Sequence, residues 1–158
     1  MRIAILTVSD SAAQGARPDA SGPALAERCT QLGWRVVMTQ IVADEPAQIQ
    51  ARLIEAADSG MIDALLTTGG TGLGPRDITP EATAAVCVRQ IPGLPELMRS
   101  AARAQNPRAT LSRGIAGIRG GVLIINLPGS PRGAVESLDA IAALLPHAIE
   151  VLHGARHD

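Results

Sequence analysis

The segment Thr67-Thr68-Gly69-Gly70-Thr71-Gly72-Leu73-Gly74-Pro75-Arg76-Asp77-Ile78-Thr79-Pro80 concentrates groups that can hold an anion. Glycines allow positive φ and bring amides within reach of a ligand. Successive amides make an anion-binding concavity, and a following helix N-terminus adds a favourable dipole. Thr68 and Thr71 supply hydroxyls, and Arg76 supplies a planar fork suited to phosphate. A plain turn would not need four glycines and a guanidinium. The run has no lysine, so it is not a P-loop. Gly70 and Gly72 begin a dinucleotide fingerprint, but its last glycine position is Pro75. A second glycine-containing turn, Leu127 to Gly133, offers the amides of Gly129 and Ser130 with Arg132 as counter-charge. Alternatively it is a turn fixed by its prolines.

These loops need strands to launch them and helices to receive them. Arg2–Ser9, Trp34–Val42, Asp63–Thr68 and Gly121–Asn126 read as strands, the last two nearly all apolar, as strands covered on both faces should be. A helix opens at Ser21-Gly22 and stops at Gly33. Another follows Asp44, a residue able to cap it. Thr79-Pro80-Glu81 reads as a helix start with a capping hydroxyl, the helix running to about Gln90. A further helix spans about 95–105, residues 110–121 are irregular or a hairpin, and a last helix carrying Val135, Leu138, Ala142, Leu145, Ile149 and Leu152 is kinked at Pro146. The expectation is one α/β domain over 1–158, with a mostly parallel central sheet, helices on both faces and a frayed tail at about 154–158. Ligands in such sheets bind where loops leave the carboxyl ends of the strands, here after Ser9, Val42, Thr68 and Asn126.

Composition narrows the function further. Of 158 residues, 46% are hydrophobic and 18% charged, which excludes a disordered chain. The net charge of -1 gives no field for a nucleic acid backbone. Trp34 is the sole aromatic residue, which removes base-stacking RNA modules. Cys29 and Cys87 form no C-x-x-C and read as core residues. No run is long enough for a signal peptide or membrane span, so the protein is expected to be cytoplasmic. His153 and His157 belong to the tail. Arg99, Arg103, Arg108, Arg113 and Arg119 read as a solvated face.

Three segments, VSDSAAQGARPDASG, GGTGLGPRDITPEA and SRGIAGIRGGVLIINLPGSPRGAVESL, together resemble the molybdopterin-binding fold of molybdenum-cofactor biosynthesis, specifically the MogA/MoaB type of molybdopterin adenylyltransferase. The resemblance spans about residues 3–150. It implies a three-layer α/β domain that assembles as trimers or hexamers. It implies Mg²⁺-dependent transfer of AMP from ATP to the terminal phosphate of molybdopterin, and a molybdenum-insertion protein as partner. It marks Asp44 and Asp77 as the catalytic, metal-holding pair. The alternatives are a helix cap for Asp44 and a first-turn acid for Asp77. An aspartate in a phosphate cradle without a cation would repel the ligand, which favours the metal role for Asp77. Ser9 and Asp10 could meet the pterin edge, a carboxylate matching its amidine-like face; Ser-Asp-Ser is also ordinary turn chemistry. Two departures stand out: the family's S-D-R is Ser9-Asp10-Ser11 here, and a frequent lysine is Arg132. The alternative activity is cofactor binding without adenylyl transfer.

Overall fold

The computed structural model describes residues 1–154. Expectations about residues 155–158, His157 among them, lie outside the described residues. Chain order is β1 (Arg2–Val8), α1 (Asp10–Ala13), α2 (Ser21–Gln31), β2 (Arg35–Val42), α3 (Pro46–Asp58), β3 (Ala64–Thr68), α4 (Thr79–Val86), β4 (Arg89–Gln90), α5 (Gly93–Arg103), a 3₁₀ turn (Pro107–Leu111), β5 (Ala116–Arg119), β6 (Val122–Leu127), α6 (Pro131–Ile141), a 3₁₀ turn (Ala142–Leu144) and α7 (Leu145–Leu152).

The six strands form one sheet in the order β2-β1-β3-β6-β5-β4. The first four are parallel, and β5 and β4 add as antiparallel neighbours. Side chains alternate between faces along a strand. Ile3 and Ile5 therefore join α2, α5, α6 and α7 on one side through Leu25, Met98, Leu138 and Ile149. Ala4, Leu6 and Val8 face the other side with Ile49 and Leu53 of α3 and Ala82 and Val86 of α4. Burial on both faces makes β3 and β6 continuous apolar runs. The register aligns Thr7 with Thr68 and Thr68 with Leu127, so β1, β3 and β6 end side by side. The chain leaves β1 toward β2 on one side and enters β3 on the other, which opens a crevice at this switch point. The loops after all four parallel strands meet there, as expected.

Several boundaries differ from the sequence reading. The helix from Thr79 ends at Val86, because Cys87 turns extended and Val88 N–H and Ile91 N–H bond the carbonyls of Ile118 and Ala116 at 2.8 Å each. The expected helical end is thus used as the sheet's outer edge. The Thr79 hydroxyl does not cap α4; Ile78 is the N-cap and offers no side-chain bond. Asp44 does not cap α3 either, since Glu45 occupies that position without a side-chain bond. The last helix breaks at 142–144, one turn before Pro146. Proline has no N–H for the carbonyl four residues back and its ring crowds that carbonyl, so the disruption falls upstream, and Pro146 sits in the first turn of α7. The segment 110–121 is partly a hairpin, β5 turning into β6.

Candidate functional site

The glycine loop turns away from β3 by two left-handed residues, Gly69 at φ +101° and Gly70 at φ +64°. Gly69 passes over the end of β1, where a Cβ would lie 2.2 Å from the Val8 carbonyl oxygen. Its N–H bonds the Leu127 carbonyl at 3.2 Å, tying β3's exit to β6. Beyond it, the loop's carbonyls turn back into the protein. Thr79 N–H donates to Gly70 O at 3.1 Å, Arg113 N–H to Thr71 O at 2.9 Å, Arg113 Nε to Gly72 O at 2.7 Å, and Asp77 N–H to Gly74 O at 3.0 Å. The amides of Gly70, Thr71, Gly72 and Leu73 meet no acceptor among the described residues. Unmet donors in succession are a built place for an anion. Gly72 and Gly74 are required for a different reason: a Cβ on either would stand 2.8 Å from Asp77 Oδ2, which accepts from Gly74 N–H at 2.7 Å.

The acidic residues come from three loops. Asp10 and Asp44 clasp each other, Asp10 N–H donating to Asp44 Oδ2 at 2.8 Å and Asp44 N–H to Asp10 Oδ1 at 3.0 Å. Arg76 grips Asp10 with Nε and Nη2, both at 3.0 Å, and pairs with Glu45 at 2.9 Å. The hydrogen bond from the Asp44 amide and the Arg76 guanidinium hold the Asp10 carboxyl below its usual range, against some desolvation. Asp44 goes the other way. Burial raises it first, the charges of Asp10 and Asp77 raise it further, and the Asp10 amide and Arg76 only partly offset this. Asp77 forms no salt bridge among the described residues. A second internal tension lies beside it: the Thr79 hydroxyl is fully buried with no partner among the described residues, pressed where a Gly70 side chain would stand.

Two hollows flank this loop. One, of about 570 Å³, is bounded by Thr71, Gly72, α5, the 107–111 turn and the start of α6, with Ser130 on its rim. The other, of about 330 Å³, is bounded by Ser9, Ser11, Arg17, Asp44, Thr68 and Gly69. Gly70, Asp77 and Gly129 border both. Asp10, Arg76 and Arg132 border neither. Arg76 is committed to Asp10 and Glu45, and Arg132 is mostly exposed and bound to Glu136 at 2.6 Å. The Thr68 side chain is fully buried, its hydroxyl donating to Pro128 O at 2.7 Å. Ser9 accepts from Ala12 N–H at the start of α1, and Ser130 from Gly133 N–H as the cap of α6.

Sequence reasoning missed three residues. Arg113, assigned to a solvated face, is half-buried behind the glycine loop. Arg99 donates to the carbonyls of Ser112 and Gly114 beneath the larger hollow. Asn126 is buried and donates to Thr67 and Thr83 at 2.9 Å each, while its carbonyl accepts from Ile115 N–H. A lone polar residue in the apolar run Val122–Leu127 was the available signal for the last.

A mostly parallel sheet with an amide-lined, acid-flanked crevice at its switch point is the class of ligand-binding α/β protein defined so far. Comparison gives the family. The model described as "Probable molybdopterin binding domain" matches residues 4–147, and the chain belongs to that family. It is 42% identical over 156 residues to a molybdopterin adenylyltransferase of Helicobacter pylori, covering 98% of this chain and 89% of that one. It is 37% identical over 168 residues to the molybdopterin adenylyltransferase of Escherichia coli K12, covering 98% and 86%. The crystal structure of the molybdopterin biosynthesis enzyme MoaB of Thermus thermophilus superposes with a TM-score of 0.91 at 47% identity, covering 99% of each chain.

Proposed function

We propose that the protein transfers the AMP moiety of ATP to the terminal phosphate of molybdopterin, releasing pyrophosphate. The observation that supports this best is the run of four unmet amides at a wall shared by two hollows, with Asp77 at the same wall. Two polyanionic substrates must meet with their reacting phosphates adjacent, and a shared border suits that need. A terminal phosphate oxygen of the pterin attacks the α-phosphorus, a new P–O–P linkage forms, and the α–β anhydride bond breaks. A phosphate monoester has its second pKa near about 6, so the attacking oxygen is already anionic and no base is required. Among the described residues no histidine borders either hollow, in keeping with this. The protein's contribution is alignment and charge compensation.

Mg²⁺ fits the residues present. Burial and the neighbouring acids make Asp44 resist ionisation, a penalty that a cation would relieve. No group of three or more potential protein ligands exists among the described residues. Magnesium commonly takes only one or two carboxylates with phosphate oxygens and water, which Asp44 and Asp77 could provide. When bound it would neutralise phosphate charge. Thr71, Gly72, Gly129 and Ser130 would orient phosphates through their amides, and Ser9 would face the smaller hollow's ligand. The bound states of Asp10, Thr68, Arg76 and Arg132 give them supporting roles: Arg76 sets Asp10, and Asp10 sets Asp44. Assembly as a trimer or hexamer is proposed too, and the edge strand β2 leaves Val37 and Ile41 exposed for it. A molybdenum-insertion protein would take the product. No helix among the described residues is long and apolar enough to cross a membrane, and a cytoplasmic setting suits the substrates.

The test is pyrophosphate release from ATP plus molybdopterin. Asp77→Ala is expected to lose at least about 100-fold in rate while retaining pterin binding. Normal turnover by that variant would remove the metal role. Pterin binding by the wild type without any release would leave a cofactor-binding protein.

A further inference from the structure

Arg113 lies outside every role assigned above, yet it holds three carbonyls of the glycine loop. Its backbone N–H holds Thr71 O, its Nε holds Gly72 O, and its Nη2 holds Asp77 O at 2.6 Å. Its remaining edge pairs with Glu81 in the first turn of α4. One residue thus spans both ends of the 71–77 segment, and it borders neither of the two hollows, whereas Gly72, Leu73 and Asp77 line them. A peptide unit has its N–H opposite its C=O, so holding the carbonyls of Thr71 and Gly72 aims the amides of Gly72 and Leu73 the other way, toward the ligand face. The cation also sits behind the peptide dipoles, where it offsets the negative carbonyl ends and leaves the donor face more positive.

We infer that Arg113 is a positioning residue for anion recognition: from behind, it orients the amides of residues 72 and 73 without touching substrate. The inference rests on the proposal that these amides hold phosphate. Lysine at this position keeps the charge but cannot reach the carbonyls of Gly72 and Asp77 together with Glu81. Glu81 anchors the guanidinium and is itself exposed, so removing it loosens the fork without disturbing the core.

The experiment is calorimetric titration of the full chain with inorganic pyrophosphate in the presence of magnesium, alongside melting curves and steady-state kinetics. Arg113→Lys is expected to weaken pyrophosphate binding by about tenfold and to raise KM for ATP similarly, with a much smaller change in kcat. Glu81→Ala is expected to weaken binding by about threefold with Tm lowered by at most about 4 °C. Wild-type affinity in Arg113→Lys overturns the inference, as does a lowered Tm with binding intact. If Arg113→Lys does not fold, Glu81→Ala decides alone, and wild-type affinity there overturns it. A wild-type protein that binds no pyrophosphate refutes anion binding by the loop itself, a different result from either variant's behaviour.

Discussion

Replacing Gly69 with alanine separates two costs that glycine avoids. The first is conformational: a non-glycine residue at positive φ costs about 1–2 kcal/mol. The second is steric. The new methyl would meet the Val8 carbonyl oxygen at 2.2 Å, and that oxygen belongs to a buried strand at the middle of the sheet. A flexible side chain could swing aside, whereas β1 must shift as a unit, adding about 1–3 kcal/mol. Gly60 provides the control, since its φ is +71° and a methyl there meets nothing within 4 Å among the described residues. Gly60→Ala should therefore show the conformational cost alone. For a chain of this length about 1 kcal/mol shifts Tm by about 2–4 °C, so thermal melts should fall by about 2–8 °C for Gly60→Ala and about 4–20 °C for Gly69→Ala. Measured side by side, the Gly69 variant should lose about 1.5 to 4 times as much. It should also lose pyrophosphate release when assayed well below its Tm, because the loop exit and the β1 end move together. Equal melting shifts would refute the packing argument, and full activity would show that the loop tolerates displacement.

Thr79→Val replaces a fully buried hydroxyl, unpartnered among the described residues, by a methyl of similar shape, and should raise Tm by about 2–12 °C, since an orphaned buried polar group costs about 1–3 kcal/mol. A fall in activity without a fall in Tm would show that the hydroxyl serves a ligand. Asp44 ionises above its ordinary value of 3.8 in the folded protein, so the native state holds that proton more tightly and stability declines as pH rises through this range. Asp44→Asn should therefore raise the ligand-free Tm at pH 7 and leave it unchanged at low pH, while activity is lost; a lower Tm at pH 7 would contradict the shift. Asp58 and Glu81 have the opposite sign. The hydrogen bonds from Arg119 and Arg113 depress them, so their contribution is complete above ordinary carboxylate values and lost as pH falls through the depressed ones. Acid titration of Tm should lose a measurable part of its slope in Arg119→Gln.

The four parallel strands were readable because β1, β3 and β6 are largely apolar runs and β2 alternates, whereas β4 and β5 were not read as strands. The glycine loop was readable because its residue types exceed what a turn needs. What could not be read is pairing across the chain. Asp10 and Asp44 are 34 positions apart, and Arg113 reaches Gly72 over 41. Nothing in local spacing distinguishes Arg113 from Arg103, which is exposed on α5, or reveals that Arg76 would be taken up by Asp10 and Glu45. The misplaced end of α4 has the same origin: Cys87 to Gln90 suits a helix locally, and the demand of β5 for an edge partner overrides it. Asp44, Thr79 and Pro146 each carried a true local signal whose effect fell one residue or one turn away from where it was expected.

The clasp of Arg113 on the loop also sets an order of events during synthesis. Residues 69–77 leave the ribosome well before the guanidinium that shapes them, and before Leu127, whose carbonyl receives the Gly69 amide. A nascent chain ending near residue 100 would contain the whole glycine segment and still lack its scaffold. The loop's shape therefore arrives only once the chain has emerged past Leu127, long after its own glycines.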